Sequence, residues 1–129
     1  MYPEDLKYTK THEWIRVEGN KAKIGITYYA QEQLNDIVYV ELPNVGDEIP
    51  KGETFGVVES VKSSSDVYMP VSGKVIAVND TVVDQPELLN DDPYENWLIE
   101  IEITNPEELN DLMDAETYKK FIEEEEKSH

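Results

Sequence analysis

The stretch 56-GVVESVKSSSDVYMPVSG-73 decides the fold of this chain. Two apolar runs, 57–58 and 67–68, flank a small polar segment that contains one cation, Lys62. β-branched and aromatic residues favour strands, and a short polar segment between two such runs is typical of a hairpin. The serines beside Lys62 are too small to cover a neighbouring side chain. The stretch therefore predicts a hairpin that presents Lys62 alone to solvent. An exposed lysine on a hairpin is also what a residue that only promotes solubility would look like.

Composition narrows the classes of function. The length of 129 residues fits one domain, since domains usually have roughly 100–200 residues. The chain has 29 acidic and 11 basic residues and a net charge of -18, which repels nucleic-acid phosphates and favours partners with basic docking surfaces. It has no cysteine, so the polypeptide offers neither disulfides nor thiolate chemistry. Any sulfur redox chemistry must come from a cofactor.

Targeting signals are not recognisable in the chain. Residues 1–6 lack the basic start and apolar core of a signal peptide, and they lack the arginines of a transit peptide. No apolar run approaches the roughly 20 residues that a membrane-spanning helix needs. We therefore expect a cytoplasmic protein, monomeric, with neither membrane nor nucleic acid among its partners.

Alternating apolar residues predict short strands along most of the chain. Beside the lysine hairpin, the alternation predicts strands at 13–18, 21–27, 37–42, 74–78 and 97–103. Thr27 is an acceptable cap for a short helix over 28–34, and Asn35 tolerates the left-handed conformation that ends a helix. The segment 84–96 reads as a polar loop. Short strands with a turn every eight to twelve residues indicate a β-barrel or sandwich.

The C-terminal segment, about 105–126, predicts two helices. Asn105 is placed to cap the first helix, with Pro106 at its first position and Glu108 able to reach back to the cap. Asp114 is placed to cap the second helix. That helix carries an apolar stripe expected to pack on the barrel, formed by Tyr118, Phe121 and Ile122.

Intrinsic catalysis has no candidate site in the sequence. His12 and His129 are the only histidines, and neither has a second histidine or a cysteine to complete a metal site, so we expect a structural role for His12. The serines around Lys62 lack a nucleophile elbow, and the glycines stand singly at turns. No carboxylate spacing singles out an acid–base pair. A non-catalytic carrier needs less, namely one uncovered amine on a rigid protrusion.

The segments 59-ESVK-62, 65-SDVY-68 and 70-PVSG-73 resemble the lipoyl-attachment region of the glycine cleavage system H-protein family. The resemblance covers nearly the whole chain. It extends to His12-Glu13-Trp14, Gly25-Ile26-Thr27, Ala30-Gln31, Leu34, Asp36-Ile37-Val38, Leu42-Pro43, Val45-Gly46, Asn90-Asp91, Pro93-Tyr94, Trp97-Leu98 and Asp114-Ala115. The chain departs from the family at Asn35 and 95–96, where the family usually has glycine, and at 63–64, where it usually has alanine.

The resemblance implies both a fold and a cofactor. The fold is a mainly β, lipoyl/biotinyl-type half-barrel sandwich, or hybrid barrel, with a short helix in its N-terminal half and helices at its C-terminus. Residues 1–129 would form one lipoyl-carrier domain with a core of about 12–104. The cofactor is lipoic acid, which the lysine matching Lys62 carries as an amide.

The resemblance also implies a reaction cycle and a set of partners. The pyridoxal phosphate enzyme glycine decarboxylase would transfer an aminomethyl group to the lipoyl arm, and an aminomethyltransferase would pass the one-carbon unit to tetrahydrofolate. Dihydrolipoamide dehydrogenase would reoxidise the arm. A lipoate ligase or an octanoyl/lipoyl transferase would attach it, recognising the residues around Lys62, and a surface groove would shelter the loaded arm. The expected recognition residues are Glu59, Ser60, Val61, Ser63 and Asp66.

Two other classes remain open at this point. A lipoyl carrier or relay for 2-oxoacid dehydrogenases would use the same modification, but such domains usually present Asp-Lys-Ala where this chain has Val61, Lys62 and Ser63. An unmodified acidic interaction module is the second alternative. Intact mass separates that module from either carrier.

Overall fold

The computed structural model describes residues 2–127, and these form a mainly β fold with short helices. The strands are β1 (Lys7–Tyr8), β2 (Glu13–Glu18), β3 (Lys21–Ile26), β4 (Ile37–Glu41), β5 (Glu48–Ile49), β6 (Thr54–Ser60), β7 (Ser64–Tyr68), β8 (Gly73–Val78) and β9 (Ile99–Ile103). The helices are α1 (Tyr28–Leu34), α2 (Asp80–Asp84), α3 (Leu88–Asp91) and α4 (Ala115–Lys127), with a 3₁₀ helix at Pro106–Asp111.

Two antiparallel sheets enclose the main core. The six-stranded sheet has the order β1-β2-β3-β9-β8-β5, and the three-stranded sheet has the order β4-β6-β7. Both contribute to one apolar cluster, in which Val75 and Ile101 from the first sheet and Val58 and Val67 from the second are buried. The predicted half-barrel sandwich is confirmed. No helix among residues 2–127 is long and apolar enough to cross a membrane.

The predicted N-terminal hairpin and helix are confirmed with small adjustments. Strands β2 and β3 pair around a turn in which Gly19 has φ of +64°. The Thr27 hydroxyl accepts a hydrogen bond from the Ala30 amide, as expected of a cap. Asn35 ends α1 with the predicted positive φ of 65°, but its ψ of -136° lies outside the left-handed helical region.

The connection before β9 is more ordered than the sequence predicts. The expected polar loop at 84–96 contains α3, α2 precedes it, and β9 begins two residues after the predicted start at Trp97. The Asn96 amide nitrogen donates to the carbonyl oxygens of Leu88 and Asp92, at 3.1 and 2.9 Å. These two bonds tie Asn96 to the first residue of α3 and to the residue that follows α3.

The C-terminal segment confirms one predicted cap and corrects the other. The Asp114 carboxylate accepts from the Thr117 amide at 2.8 Å and begins α4. Asn105 makes no side-chain capping bond, and the first predicted helix is a 3₁₀ helix. Glu108 does not reach back to the cap, because its carboxylate accepts from the Ser72 amide and hydroxyl at 2.7 and 3.2 Å.

The apolar stripe of α4 packs on the barrel as predicted. Tyr118 and Ile122 are buried in a second cluster that includes Tyr8 of β1 and Trp14 of β2. The rings of Tyr8 and Tyr118 are stacked, with centroids 4.6 Å apart and planes 5° apart. The two ends of the described chain are therefore joined through an aromatic contact.

Replacement of Gly56 by alanine should destabilise the protein by about 1–3 kcal/mol, because the added Cβ would have no room between β6 and β4. A Cβ at this position in β6 would overlap the carbonyl oxygen of Glu41 in β4, and backbone cannot yield without moving a strand. Urea denaturation measures the difference. The control is Ser64→Ala, at an exposed position of β7. Its free energy of unfolding should stay within about 0.5 kcal/mol of the wild-type value. Equal stability of the two variants would contradict the close approach of β4 and β6.

Candidate functional site: the lysine hairpin

Lys62 lies at the tip of the predicted hairpin, in the connection 61–63 between β6 and β7. Its side chain is exposed, and its ammonium has no hydrogen bond or ion pair with any residue in the range 2–127. The hairpin and the exposure of Lys62 are both as the sequence predicts. The nitrogen of Lys62 is therefore accessible from solvent.

The Ser60 hydroxyl organises the backbone on either side of Lys62. Its oxygen accepts from the Lys62 and Ser63 amides at 3.3 and 3.1 Å, and it donates to the Ser63 carbonyl at 3.2 Å. The Ser60 amide donates to the same carbonyl at 2.7 Å. Short side-chain-to-backbone bonds of this kind replace the ladder bonds that end at a turn. These bonds hold the backbone of the tip, although the Lys62 side chain makes no bond to a described residue.

Buried neighbours hold the base of the hairpin. Strand β6 is the middle strand of its sheet and pairs with β4 and β7. Val58 and Val67, on the two arms of the hairpin, are buried in the main core. The Val61 amide also donates to the Asp36 carbonyl at 3.1 Å, which ties the tip to the residue before β4. The tip is therefore held from both sides.

The predicted recognition residues take different positions. Ser60, Val61 and Ser63 lie at the tip beside Lys62. Glu59 is half-buried in β6, opposite Ser64 on one side and Tyr39 on the other. Asp66 is exposed farther along β7, opposite Val57. The tip thus gathers three of the five expected residues, whereas Glu59 and Asp66 lie within the strands.

Lys51 and Lys74, two other lysines near turns, have settings that differ from that of Lys62. The Lys51 ammonium forms an ion pair with Asp111 at 2.8 Å. Lys74 lies inside the large sheet, where its ladder partners are Glu48 on β5 and Glu102 on β9. Lys62 differs from both in lying in the connection of a hairpin, without an ion pair to a described residue.

A groove of about 340 Å³ opens at the far end of β7 from Lys62. It is lined by Tyr8, Thr9, Lys10, Thr11, Lys51, Gly52, Tyr68, Met69, Pro70, Asp111, Leu112 and Met113. Strand β7 runs from Ser64 beside the lysine turn to Tyr68 in the groove wall. Strand β7 thus links the lysine turn to the groove.

Glu13 is buried beside the groove, and sequence reasoning missed its setting. One carboxylate oxygen accepts from the Thr9 and Thr11 hydroxyls, both at 2.5 Å, and the other accepts from the Tyr68 amide at 3.1 Å. Burial raises the pKa of this carboxyl, while these hydrogen bonds lower it in part. The neighbouring threonines are a faint signal in the sequence, but the contact with Tyr68 spans 55 residues.

His12 joins the N-terminal hairpin to α4, which supports the expected structural role. It has a positive φ of 72°, and its ring nitrogens lie 2.8 Å from the Tyr118 hydroxyl and 3.1 Å from the Glu125 carboxylate. Burial lowers the pKa of this imidazole, and Glu125 opposes that shift. No group of three or more metal-binding side chains is found among residues 2–127, and His129 lies outside that range.

A two-sheet β sandwich that presents one free lysine on a short hairpin defines a carrier domain of the lipoyl and biotinyl class. The family model for the glycine cleavage H-protein matches residues 6–125, so the chain belongs to this family. The predicted family is confirmed, and with it the place of the chain in the glycine cleavage system as a carrier component.

Individual relatives agree with the family model over almost their whole length. The chain is 57% identical to the glycine cleavage system H protein of Carboxydothermus hydrogenoformans, over 97% of each chain. It is 59% identical to that of a Synechococcus species, over 95% of each. The crystal structure of the H protein from Mycobacterium marinum is similar with a TM-score of 0.83 at 39% identity, covering 90% of this chain and 94% of that one.

Because the pKa of the buried Glu13 is raised, its contribution to the free energy of unfolding should decrease as the pH rises. Its contribution is fully present below the unfolded pKa of about 4.3 and is lost as pH rises through the higher folded value. Glu13→Gln can keep its hydrogen bonds without ionising, because the threonine hydroxyls can also accept. The wild-type protein should therefore lose stability relative to Glu13→Gln between about pH 4 and pH 7.

Urea denaturation at both pH values measures this difference. Glu13→Ala serves as a second variant, and it should cost about 1–3 kcal/mol because the Tyr68 amide loses its acceptor. A gap between wild type and Glu13→Gln that stays constant with pH would contradict the raised pKa.

Proposed function

We propose that Lys62 carries lipoic acid as an amide and that the chain shuttles an aminomethyl group from glycine decarboxylase to the tetrahydrofolate-dependent aminomethyltransferase. The observation that carries this proposal is the exposed, unpaired Lys62 ammonium on a hairpin held by buried valines. Membership of the glycine cleavage H-protein family supports the same assignment. The residues present fit the cofactor, since an amide requires one accessible amine and nothing else from the chain.

Attachment of the group needs an external enzyme. No described side chain is bonded to the Lys62 nitrogen, so the described residues place no base beside it. The free amine would attack the carbonyl carbon of a lipoyl or octanoyl adenylate. A carbon–nitrogen bond forms, the bond from that carbon to the phosphate oxygen breaks, and the ammonium releases two protons in all. A lipoate ligase would supply this chemistry, and an octanoyl/lipoyl transferase would form the same amide from an acyl thioester, whose carbon–sulfur bond breaks to release a thiol.

The chain contributes presentation to the cycle. When bound, the lipoyl group supplies a disulfide that takes up the aminomethyl group and is later restored by dihydrolipoamide dehydrogenase. Ser60 holds the turn through its three hydrogen bonds, and the small Ser63 leaves the approach to Lys62 open. One uncovered tip can therefore serve several enzymes in turn, while catalysis stays with those enzymes.

We infer that the groove at the end of β7 is where the loaded arm is sheltered. Its walls include the apolar Met69, Leu112 and Met113, and its volume of about 340 Å³ is within the usual size of ligand pockets. The threonine hydroxyls that bond Glu13 also line it. A group held there would exchange part of its contact with water for contact with protein.

The remaining assignments are also part of the proposal. We infer that residues 1–129 act as a single monomeric carrier domain in the cytoplasm. Support comes from the core cluster, which runs from Ile15 in β2 to Ile103 in β9, and from the net charge of -18, which disfavours nucleic acid.

Lys62→Arg should abolish lipoylation and carrier activity while leaving the fold intact. Arginine keeps the charge but cannot form the same amide. Peptide mapping of the wild-type protein after co-expression with a lipoate ligase should find the adduct on Lys62 alone. Thermal melts of both proteins control for folding, and Lys51→Arg, an exposed lysine elsewhere, should be lipoylated like wild type. An adduct on the Lys62→Arg protein would refute the assignment.

Loading the lipoyl arm should change the surroundings of the groove as well as the tip. Amide chemical shifts of the lipoylated protein, with and without the aminomethyl group, should differ at Thr11, Tyr68 and Met69. Residues of β3, on the other sheet, serve as the internal control and should not shift. Shift changes confined to 60–65 would show that the arm stays at the tip, and the shelter would then be rejected.

A further inference from the structure

Every large apolar side chain that is exposed among residues 2–127 lies on β4, on the lysine turn or on the segments that adjoin β4. The exposed fractions are 55% for Val38, 46% for Tyr39, 61% for Val45, 69% for Val61 and 40% for Val83. We call these five residues the valine face. Scattered exposed apolar residues are normal, whereas a concentrated group marks an interaction site.

Two connections gather the valine face around β4. Tyr39, Val45 and Val83 line one groove of about 390 Å³, where α2 approaches β4. At the other end, the hydrogen bond from the Val61 amide to the Asp36 carbonyl places the lysine turn beside the start of β4. Val38 lies at the irregular step of the β4–β6 register, just after that start. The apolar surface thus reaches the residue next to Lys62.

The charge around the valine face is all acidic apart from Lys62. Strands β4, β6 and β7 and helix α2 contain no lysine or arginine, and Lys62 is the only basic residue in the range 52–73. Glu41 and Asp80 line the groove, and Glu59 lies opposite Tyr39. A surface that complements this one has an apolar centre and a rim of lysine and arginine.

We propose that the valine face is the docking surface for the enzyme that acylates Lys62. This inference rests on the proposed function. The acylating enzyme must bring its reacting carbonyl to the lysine nitrogen itself, so its surface must come close to Val61 and the neighbouring face. The enzymes that use the finished arm react at its far end and do not need that contact. The apolar centre and basic rim therefore belong to the acyl-transferring enzyme.

Kinetics of lipoate transfer test the docking surface. The double variant Val38→Ser/Val61→Ser removes two exposed apolar side chains, and thermal melts confirm that it folds. A lipoate ligase supplied with lipoyl adenylate is assayed against each carrier. The KM for the double variant should rise by about tenfold or more with little change in kcat, because truncation of central interface residues weakens binding.

A matched pair of charge reversals tests the basic rim. Glu41→Lys, beside the valine face, and Glu123→Lys on α4 change the net charge equally, and both residues are exposed. We expect a raised KM for Glu41→Lys at low salt and a smaller change for Glu123→Lys, since steering by net charge alone affects both. Equal changes in the two variants would show that no basic rim meets this face.

The outcomes separate this inference from the proposed function. Acylation of the wild-type protein at Lys62 together with an unchanged KM for the double variant overturns the docking surface and leaves the carrier function standing. The double variant could instead show a normal KM in acylation but, when fully lipoylated, a raised KM at glycine decarboxylase. That result would also overturn the inference and would show that the valine face binds glycine decarboxylase. A wild-type protein that is not acylated at Lys62 overturns both.

Discussion

The pairing of β6 with β4 and β7 is the constraint on which the rest of the structure depends. Val58 and Val67 fill the core from the two arms of one hairpin, so the tip cannot shift without exposing them. Gly56 lets β4 approach closely enough for the three-stranded sheet to form. The same sheet carries the lysine turn, β4 with its exposed apolar residues, and the path along β7 to the groove. A rigid base with a free tip follows from this one arrangement.

Lys62 has no ion pair with a described residue, although the chain is strongly acidic. The carboxylates nearest to Lys62 in sequence, Glu59 and Asp66, belong to strands and not to the turn. Their backbones are held in ladders, and the described residues form no ion pair with Lys62. An amide on Lys62 would remove the one positive charge of this face. The charged residues left on this face would then all be acidic.

The second apolar cluster closes the molecule around the groove. Tyr8 and Tyr118 stack within this cluster. The Tyr118 hydroxyl lies 2.7 Å from the Thr27 hydroxyl and 2.8 Å from Nδ1 of His12. The backbone of Tyr8 also exchanges hydrogen bonds with Met113, which lines the groove. The groove therefore has walls from residues 8–11, near the start of the described chain, and from residues 111–113, just before α4.

Local patterns in the sequence determined the elements whose interactions lie within a few residues. These include the β2–β3 hairpin, the Thr27 and Asp114 caps and the turn that exposes Lys62, and the motifs around that turn indicated the family. Tertiary structure alone decided which distant groups meet. Glu108 bonds Ser72 and not its own helix start, Glu13 is buried against Tyr68, and the valine face is assembled from separate segments. The reason is physical: alternation and capping act between sequence neighbours, whereas the burial of an acid or the gathering of exposed valines depends on how whole sheets pack.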